Sequence, residues 1–146
     1  MNDPLSLESY PARVREKLRY CDTDRQGHVN NAVFSEMLEA GRVALFYDSE
    51  TPVADEGCAF ALVRLELDLM AELFWPGHVD VGTGIMEIGR SSMTLEQLVC
   101  KEDGTPVARA RTVIVQLNQT IRKSQPFSAE ARQRLARHMM SRSPQG

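Results

Sequence analysis

The sequence predicts an α+β domain in which a five-stranded antiparallel sheet curls around one long central helix, with a short helix near the C-terminus. Three observations carry this prediction. One long run of helical periodicity follows the first strand, the later apolar segments alternate with period two, and the connections between those segments are too short to hold helices. A doubly wound α/β arrangement needs helices between its later strands and is excluded on that ground.

Met1 to Arg13 holds two prolines and little periodicity and is expected to be a flexible lead-in to a single domain over 14–140. Val14, Glu16, Leu18 and Tyr20 alternate with Arg13, Arg15, Lys17 and Arg19, which predicts a strand with one charged face. Cys21 to Asn30 is polar and carries Gly27, which ends that strand. From Asn31 to about Tyr47 the period changes: Phe34, Met37, Leu38, Gly41 and Leu45 recur at three- and four-residue spacing. Asn30 is placed to cap this helix, since its side-chain oxygen can accept from the first free amides. Gly41 costs stability in mid-helix and so is expected to mark a close approach to another element.

A loop over Asp48 to Gly57 follows, and then strands. Ala61, Val63, Leu65, Leu67 and Leu69 alternate with Arg64, Glu66 and Asp68. His78 to Ile88, Ser92 to Lys101 and Val107 to Leu117 complete an expected four-strand meander, with Gly104 in a hairpin turn. Ser128 caps a last helix through about Met140, and Ser141 to Gly146 reads as a frayed tail.

Composition narrows the function classes. A chain of 146 residues is long enough for one domain, and at that size it buries roughly 68–70% of its unfolded surface without a disulfide or metal staple. Hydrophobic residues at 42% and charged residues at 25% exclude a disordered, collagen-like or coiled-coil chain. A net charge of −3 gives no electrostatic case for nucleic-acid or anionic-membrane binding. The longest apolar run, Cys58 to Val63, is far shorter than the ~20 residues of a membrane helix. Met1 to Tyr10 carries Asp3 and Glu8 without an apolar core, unlike a secretory leader. Cys21, Cys58 and Cys100 are widely spaced and form no C-x-x-C pair, so reduced thiols and a cytoplasmic location are expected.

Chemistry concentrates in Cys21 to Asn31, where a polar loop meets the helix start. Asp22, Asp24, Gln26 and Gly27 mimic a calcium loop, but its twelfth position, which requires a bidentate Glu, is Val33. Asp22, Asp24 and His28 suit a transition metal by type, yet a further firm ligand is missing. Cys21 with His28 lacks an orienting group for a thiolate nucleophile. Asp24 lies just before a helix, where the macrodipole stabilises negative charge. There it can activate water or attack a carbonyl directly, while the amide at Asn31 stabilises the oxyanion and His28 binds substrate or tunes the pair. The alternative is an Asx turn in which Asp24 serves only its own loop, and spacing alone places that reading first.

Tyr20-Cys21-Asp22-Thr23-Asp24, Gly27-His28-Val29-Asn30-Asn31-Ala32-Val33-Phe34, Glu39 and Arg42 together resemble the active-site loop and central helix of hotdog-fold acyl thioesterases. The likeness is to the 4-hydroxybenzoyl-CoA thioesterase-like family, and the order of strands and helices extends it over nearly the whole domain. The resemblance implies a catalytic carboxylate at Asp24, an oxyanion amide near Asn31 and a functional histidine at His28. It also implies substrate contacts at Asn30 and at Arg90, Ser91 and Ser92, which match a segment beside the pantetheine arm in relatives. Phe34 stands where many relatives carry Tyr, and Gln26 where the plant enzymes carry Asn. The implied activity is hydrolysis of an acyl-CoA or acyl-carrier-protein thioester, with no metal or organic cofactor, by a homodimer or homotetramer. A non-catalytic hotdog domain that binds acyl thioesters or serves assembly is the alternative. A hydratase on the same fold would instead use an acid such as Glu39 on the central helix.

Overall fold

The computed structural model describes residues 6–47 and 52–140. Met1 to Leu5, the first part of the loop expected after the long helix (48–51), and the expected tail over Ser141 to Gly146 lie outside the described residues. The elements are β1 (Ala12–Lys17), α1 (Asn31–Tyr47), β2 (Cys58–Leu69), β3 (His78–Ile88), β4 (Ser92–Lys101), β5 (Pro106–Asn118) and α2 (Ala129–Ala136). The strands form one five-stranded sheet in the order β1-β3-β4-β5-β2, with every neighbouring pair antiparallel. This is the hotdog arrangement expected from the sequence, with one correction to the path. Only β3, β4 and β5 form a meander. β1 occupies the free side of β3, from Ala12 opposite Thr83 to Lys17 opposite His78, so β2 pairs with β5 at the other edge.

Two further expectations are corrected. The lead-in is ordered within the described residues: Leu7–Ser9 forms one 3-10 turn capped by Ser6, and Tyr10 is buried in a cluster with Leu98, Cys100 and Met140. The aromatic ring needs that cover, and Gly82 makes room for it, since a Cβ there would come within 2.8 Å of the Tyr10 ring. The last helix ends at Ala136 instead of near Met140. His138 O and Met140 N exchange hydrogen bonds with the N–H and C=O of Ile85, so the chain leaves the helix to join β3.

The helix packs across β1, β3 and β4 through Phe34, Met37 and Leu38, which meet Val79, Val81 and Val99 of the sheet. Leu38 is fully buried, and a leucine so placed contributes about 1.5–3 kcal/mol. Gly41 is the expected close approach: a Cβ there would lie 2.6 Å from Thr83 Oγ1 and 2.8 Å from Gln97 Nε2. A second cluster, with Leu45, Phe46, Ile85, Leu95 and Leu135, joins the far end of α1 to α2. The β2 edge carries apolar side chains in the open, with Leu62 44%, Val63 59%, Leu65 36% and Leu69 45% exposed. A register shift at Leu62/Arg64 marks a bulge in the same strand.

Candidate active site

The polar loop is built by its own two acids, which play different parts. Asp22 is buried and binds Arg19 three ways: Oδ2 accepts from the Arg19 N–H at 2.9 Å, and Oδ1 accepts from Nε at 3.1 Å and Nη2 at 2.7 Å. The same pairing raises the Arg19 guanidinium above its ordinary range. Asp24 is exposed, and its Oδ1 accepts from the N–H of Gln26 at 2.9 Å and of His28 at 3.1 Å. The Asp24 N–H donates to His28 O at 2.8 Å, and Gly27 turns the chain at φ +85°. The Asx turn is therefore present. It uses one carboxylate oxygen, and Oδ2 has no protein donor among the described residues.

The loop leads directly into α1. Asn30 Oδ1 accepts from the Ala32 N–H at 3.0 Å, the cap expected from the sequence, and Asn30 O takes the Val33 N–H at 2.9 Å. The Asn31 N–H is left without an acceptor among the described residues, as the first amides of a helix are. Asp24, His28 and Asn31 line one cleft of about 390 Å³, together with Phe34 and the chain from Leu69 to Leu73. The cleft thus brings an acidic residue and the first residue of a helix to one space large enough for the reacting end of a small ligand. Phe34 lines the cleft with an apolar ring and supplies no hydroxyl to it.

Glu72 lines the same cleft and was not foreseen. Its Oε1 lies 3.2 Å from His28 Nε2, and the His28 ring packs on Phe74 with centroids 4.8 Å apart. A lone Glu in a loop has no spacing signal. Only the pairing of Val29 N–H with Leu73 O at 2.7 Å, and the bridge from His28 to Phe74, bring it across.

The other expected residues lie elsewhere. Asn30 spends its side chain on the cap. Arg90 and Ser91 form the turn between β3 and β4, and Ser92 begins β4. Their carbonyls are tied to the second helix region: Arg90 O takes the Phe127 N–H at 2.9 Å and Ser91 O takes the Gln116 N–H at 2.8 Å. β2 reaches the cleft at Leu69, whereas Ser92 pairs with Val115, which stands opposite Ala61 near the other end of β2, so this turn lies roughly 25 Å off at about 3.3 Å per residue. Glu39 is also outside the Asp24 cleft. It lines a separate pocket of about 310 Å³ with Arg42, Phe46 and Phe60. Burial pulls the Arg42 guanidinium down, and its Nη1 reaches Gln97 Oε1 at 3.4 Å.

Neither competing chemistry gains support from the geometry. Asp22 is committed to Arg19, and no group of three or more His, Cys, Asp or Glu that could hold a metal occurs among the described residues. Cys21 is exposed and does not line the cleft, and burial pushes the Cys100 thiol up to about 11. No helix among the described residues is long and apolar enough to cross a membrane.

Comparison with known proteins agrees with this architecture. None of the curated proteins compared matches the chain. Among solved structures, a thioesterase from Thermus thermophilus, complexed with coenzyme A and Zn, shares 32% identity at a TM-score of 0.79, over 90% of this chain and 96% of that one. A predicted thioesterase from Bacillus stearothermophilus shares 26% identity, also at 0.79, over 90% and 98%. The probable thioesterase YbaW from Escherichia coli, at 21% identity, 88% and 98% coverage and a TM-score of 0.76, shows the shared fold alone. The model of the thioesterase-like superfamily matches residues 18–135, from the end of the first strand into the last helix, and the chain belongs to that superfamily.

Proposed function

We propose that this protein is a thioesterase that hydrolyses an acyl-CoA or acyl-carrier-protein thioester to a carboxylic acid and a free thiol. The observation that carries the reading is the cleft itself, which Asp24 and Asn31, the first residue of α1, both line. Two routes fit. As general base, Asp24 takes a proton from water while the oxygen attacks the thioester carbon. As nucleophile, it forms a mixed anhydride that water then opens. In either route the negative oxygen of the tetrahedral intermediate receives the Asn31 N–H, and collapse expels the thiolate, which is protonated to the thiol. His28 stands beside these groups to contact the substrate. Neither route requires a cofactor. Three free thiols among the described residues suit a cytoplasmic location.

The working unit is a homodimer, the building block of any tetramer, joined along β2. A long edge strand with exposed apolar side chains is a template for pairing, and Leu62, Val63, Leu65 and Leu69 supply that edge. The cleft adjoins the Leu69 end of β2, whereas Ser92 lies beside Val115, which pairs with Ala61 near the other end. Antiparallel pairing of two β2 strands sets the Leu69 end of one chain beside the Ala61 end of the next. The partner subunit's Arg90, Ser91 and Ser92 then approach the cleft, where a cation suits the phosphates of coenzyme A. This accounts for substrate residues that one chain keeps apart.

A second reading, a binder without turnover, draws on the structural duty of Asp24 in its Asx turn. A panel of aliphatic and aromatic acyl-CoA esters separates the two, with thiol release and binding followed together. Release from at least one member is expected. Tight binding with no release from any would establish the binder.

A further inference from the structure

We propose that Glu72 is a positioning residue of the cleft, which holds the His28 imidazole in one tautomer and one orientation. This deepens the thioesterase reading and rests on it for its kinetic part. Three contacts converge on His28. Its main chain is closed onto Asp24 by the two hydrogen bonds at 2.8 and 3.1 Å. Its ring packs on Phe74 at a tilt of 45°, with centroids 4.8 Å apart. Its Nε2 lies 3.2 Å from Glu72 Oε1, at hydrogen-bonding distance. The first two fix the backbone and give the ring a packing partner, but do not decide which nitrogen carries the proton.

With the Glu72 carboxylate as its acceptor, the neutral imidazole carries its hydrogen on Nε2 and keeps the Nδ1 lone pair as an acceptor. His28 lines the cleft beside Asp24 and Asn31, so that lone pair is available to a donor bound there, either a water or an N–H of the substrate. The backbone makes the pairing reproducible: the bridge from His28 to Phe74 and the Val29 to Leu73 hydrogen bond place residue 72 beside the ring. Glu72 is 69% exposed and His28 28% exposed at the side chain. A pair so open to water contributes little to folding, so its removal leaves the domain intact and exposes the effect on the ring.

Two variants test this, because Gln still accepts from Nε2–H through its amide oxygen whereas Ala cannot. Long-range nitrogen–proton correlation spectra of the His28 ring are recorded at alkaline pH for wild type, Glu72→Gln and Glu72→Ala. Acyl-CoA turnover is measured on the same samples. Wild type and Glu72→Gln are expected to show the proton on Nε2, and Glu72→Ala a mixture of tautomers. Turnover by Glu72→Ala should fall about tenfold, the lower end of what hydrogen-bond partners of metal-bound histidines contribute, with KM little changed and Glu72→Gln near wild type. A wild-type spectrum with the proton on Nδ1, or an Ala spectrum like wild type, overturns the proposal. So does a changed tautomer with unchanged turnover, or equal losses in both variants. The spectra need no substrate. If no acyl-CoA is hydrolysed at all, the thioesterase reading fails by itself while the link between Glu72 and His28 is still decided.

Discussion

Asp22 and Asp24 stand two residues apart and show how little a residue type says without its partners. Asp22 is closed in by Arg19, and Asp24 keeps one oxygen clear of the loop it anchors. Asp22→Asn is therefore expected to act on folding. The variant loses the charge opposite an exposed guanidinium, a loss that solvent screening keeps small, so the melting temperature falls by a few degrees and turnover by the folded fraction stays near wild type. Thermal melting and turnover measured side by side check this, and a folded but inactive variant would contradict it. The sequence pattern favours Asp24 over Asp22 through its place before the helix, which is sound physics. It also offers the Asx turn that the structure contains, but only as an alternative to chemistry, because both duties draw on the same residue type at the same spacing.

Among the elements, α1 was legible from residue 31 to residue 47 because a change from period two to period 3.6 is sharp and an N-cap stands at its start. β3 and β4 were legible for the same reason. The pairing of β2 with β5 was not, since alternation tells which face of a strand is apolar and nothing about which edge it joins. The mid-helix glycine marks a close approach in sequence and structure alike, and it yields a prediction. Gly41→Ala presses a methyl group on Thr83 and Gln97, whose Nε2 donates to Leu38 O at 2.8 Å and Thr83 Oγ1 at 3.0 Å. Overpacking and strain on that buried amide outweigh the better helix propensity, for a net loss of about 2 kcal/mol in urea unfolding. Unchanged stability would mean that the helix can slide away at no cost.

The cap of α2 gives a pH dependence. Burial pushes the Asp55 carboxyl up, but the Ser128 hydroxyl and N–H and the Gln116 amide outweigh it and hold the group below its ordinary 3.8. A lowered carboxylate stabilises the fold fully above 3.8, and that contribution is lost as pH falls through the lower folded value. Ser128→Ala removes the cap to the Ala131 N–H and the hydroxyl donor to Asp55, while the backbone N–H at 128 still donates to Asp55, and should cost about 1–2 kcal/mol at neutral pH. The gap in melting temperature between wild type and variant should narrow on acidification below 3.8. A constant gap would show that Asp55 takes no part.

In the whole molecule, the dimer proposed through the open edge of β2 makes assembly a condition of activity. Val63 is 59% exposed on that edge, and a lysine there opposes strand pairing. Val63→Lys is expected to give a monomer by light scattering and to lose most turnover, since the cleft then lacks the neighbouring Arg90 turn. A monomeric wild type with full activity would refute the shared site. The proposed chemistry rests on a single carboxylate, which Asp24→Asn removes while keeping the side chain's shape and its Oδ1 acceptor for the loop. The deciding measurement is single-turnover hydrolysis of an acyl-CoA ester by wild type and Asp24→Asn, with thiol release and substrate binding followed on the same samples. Release should slow at least ~100-fold, the lower end of what a positioned acid–base group contributes, while affinity changes much less. Near-normal release by a folded Asp24→Asn would place the reacting group elsewhere.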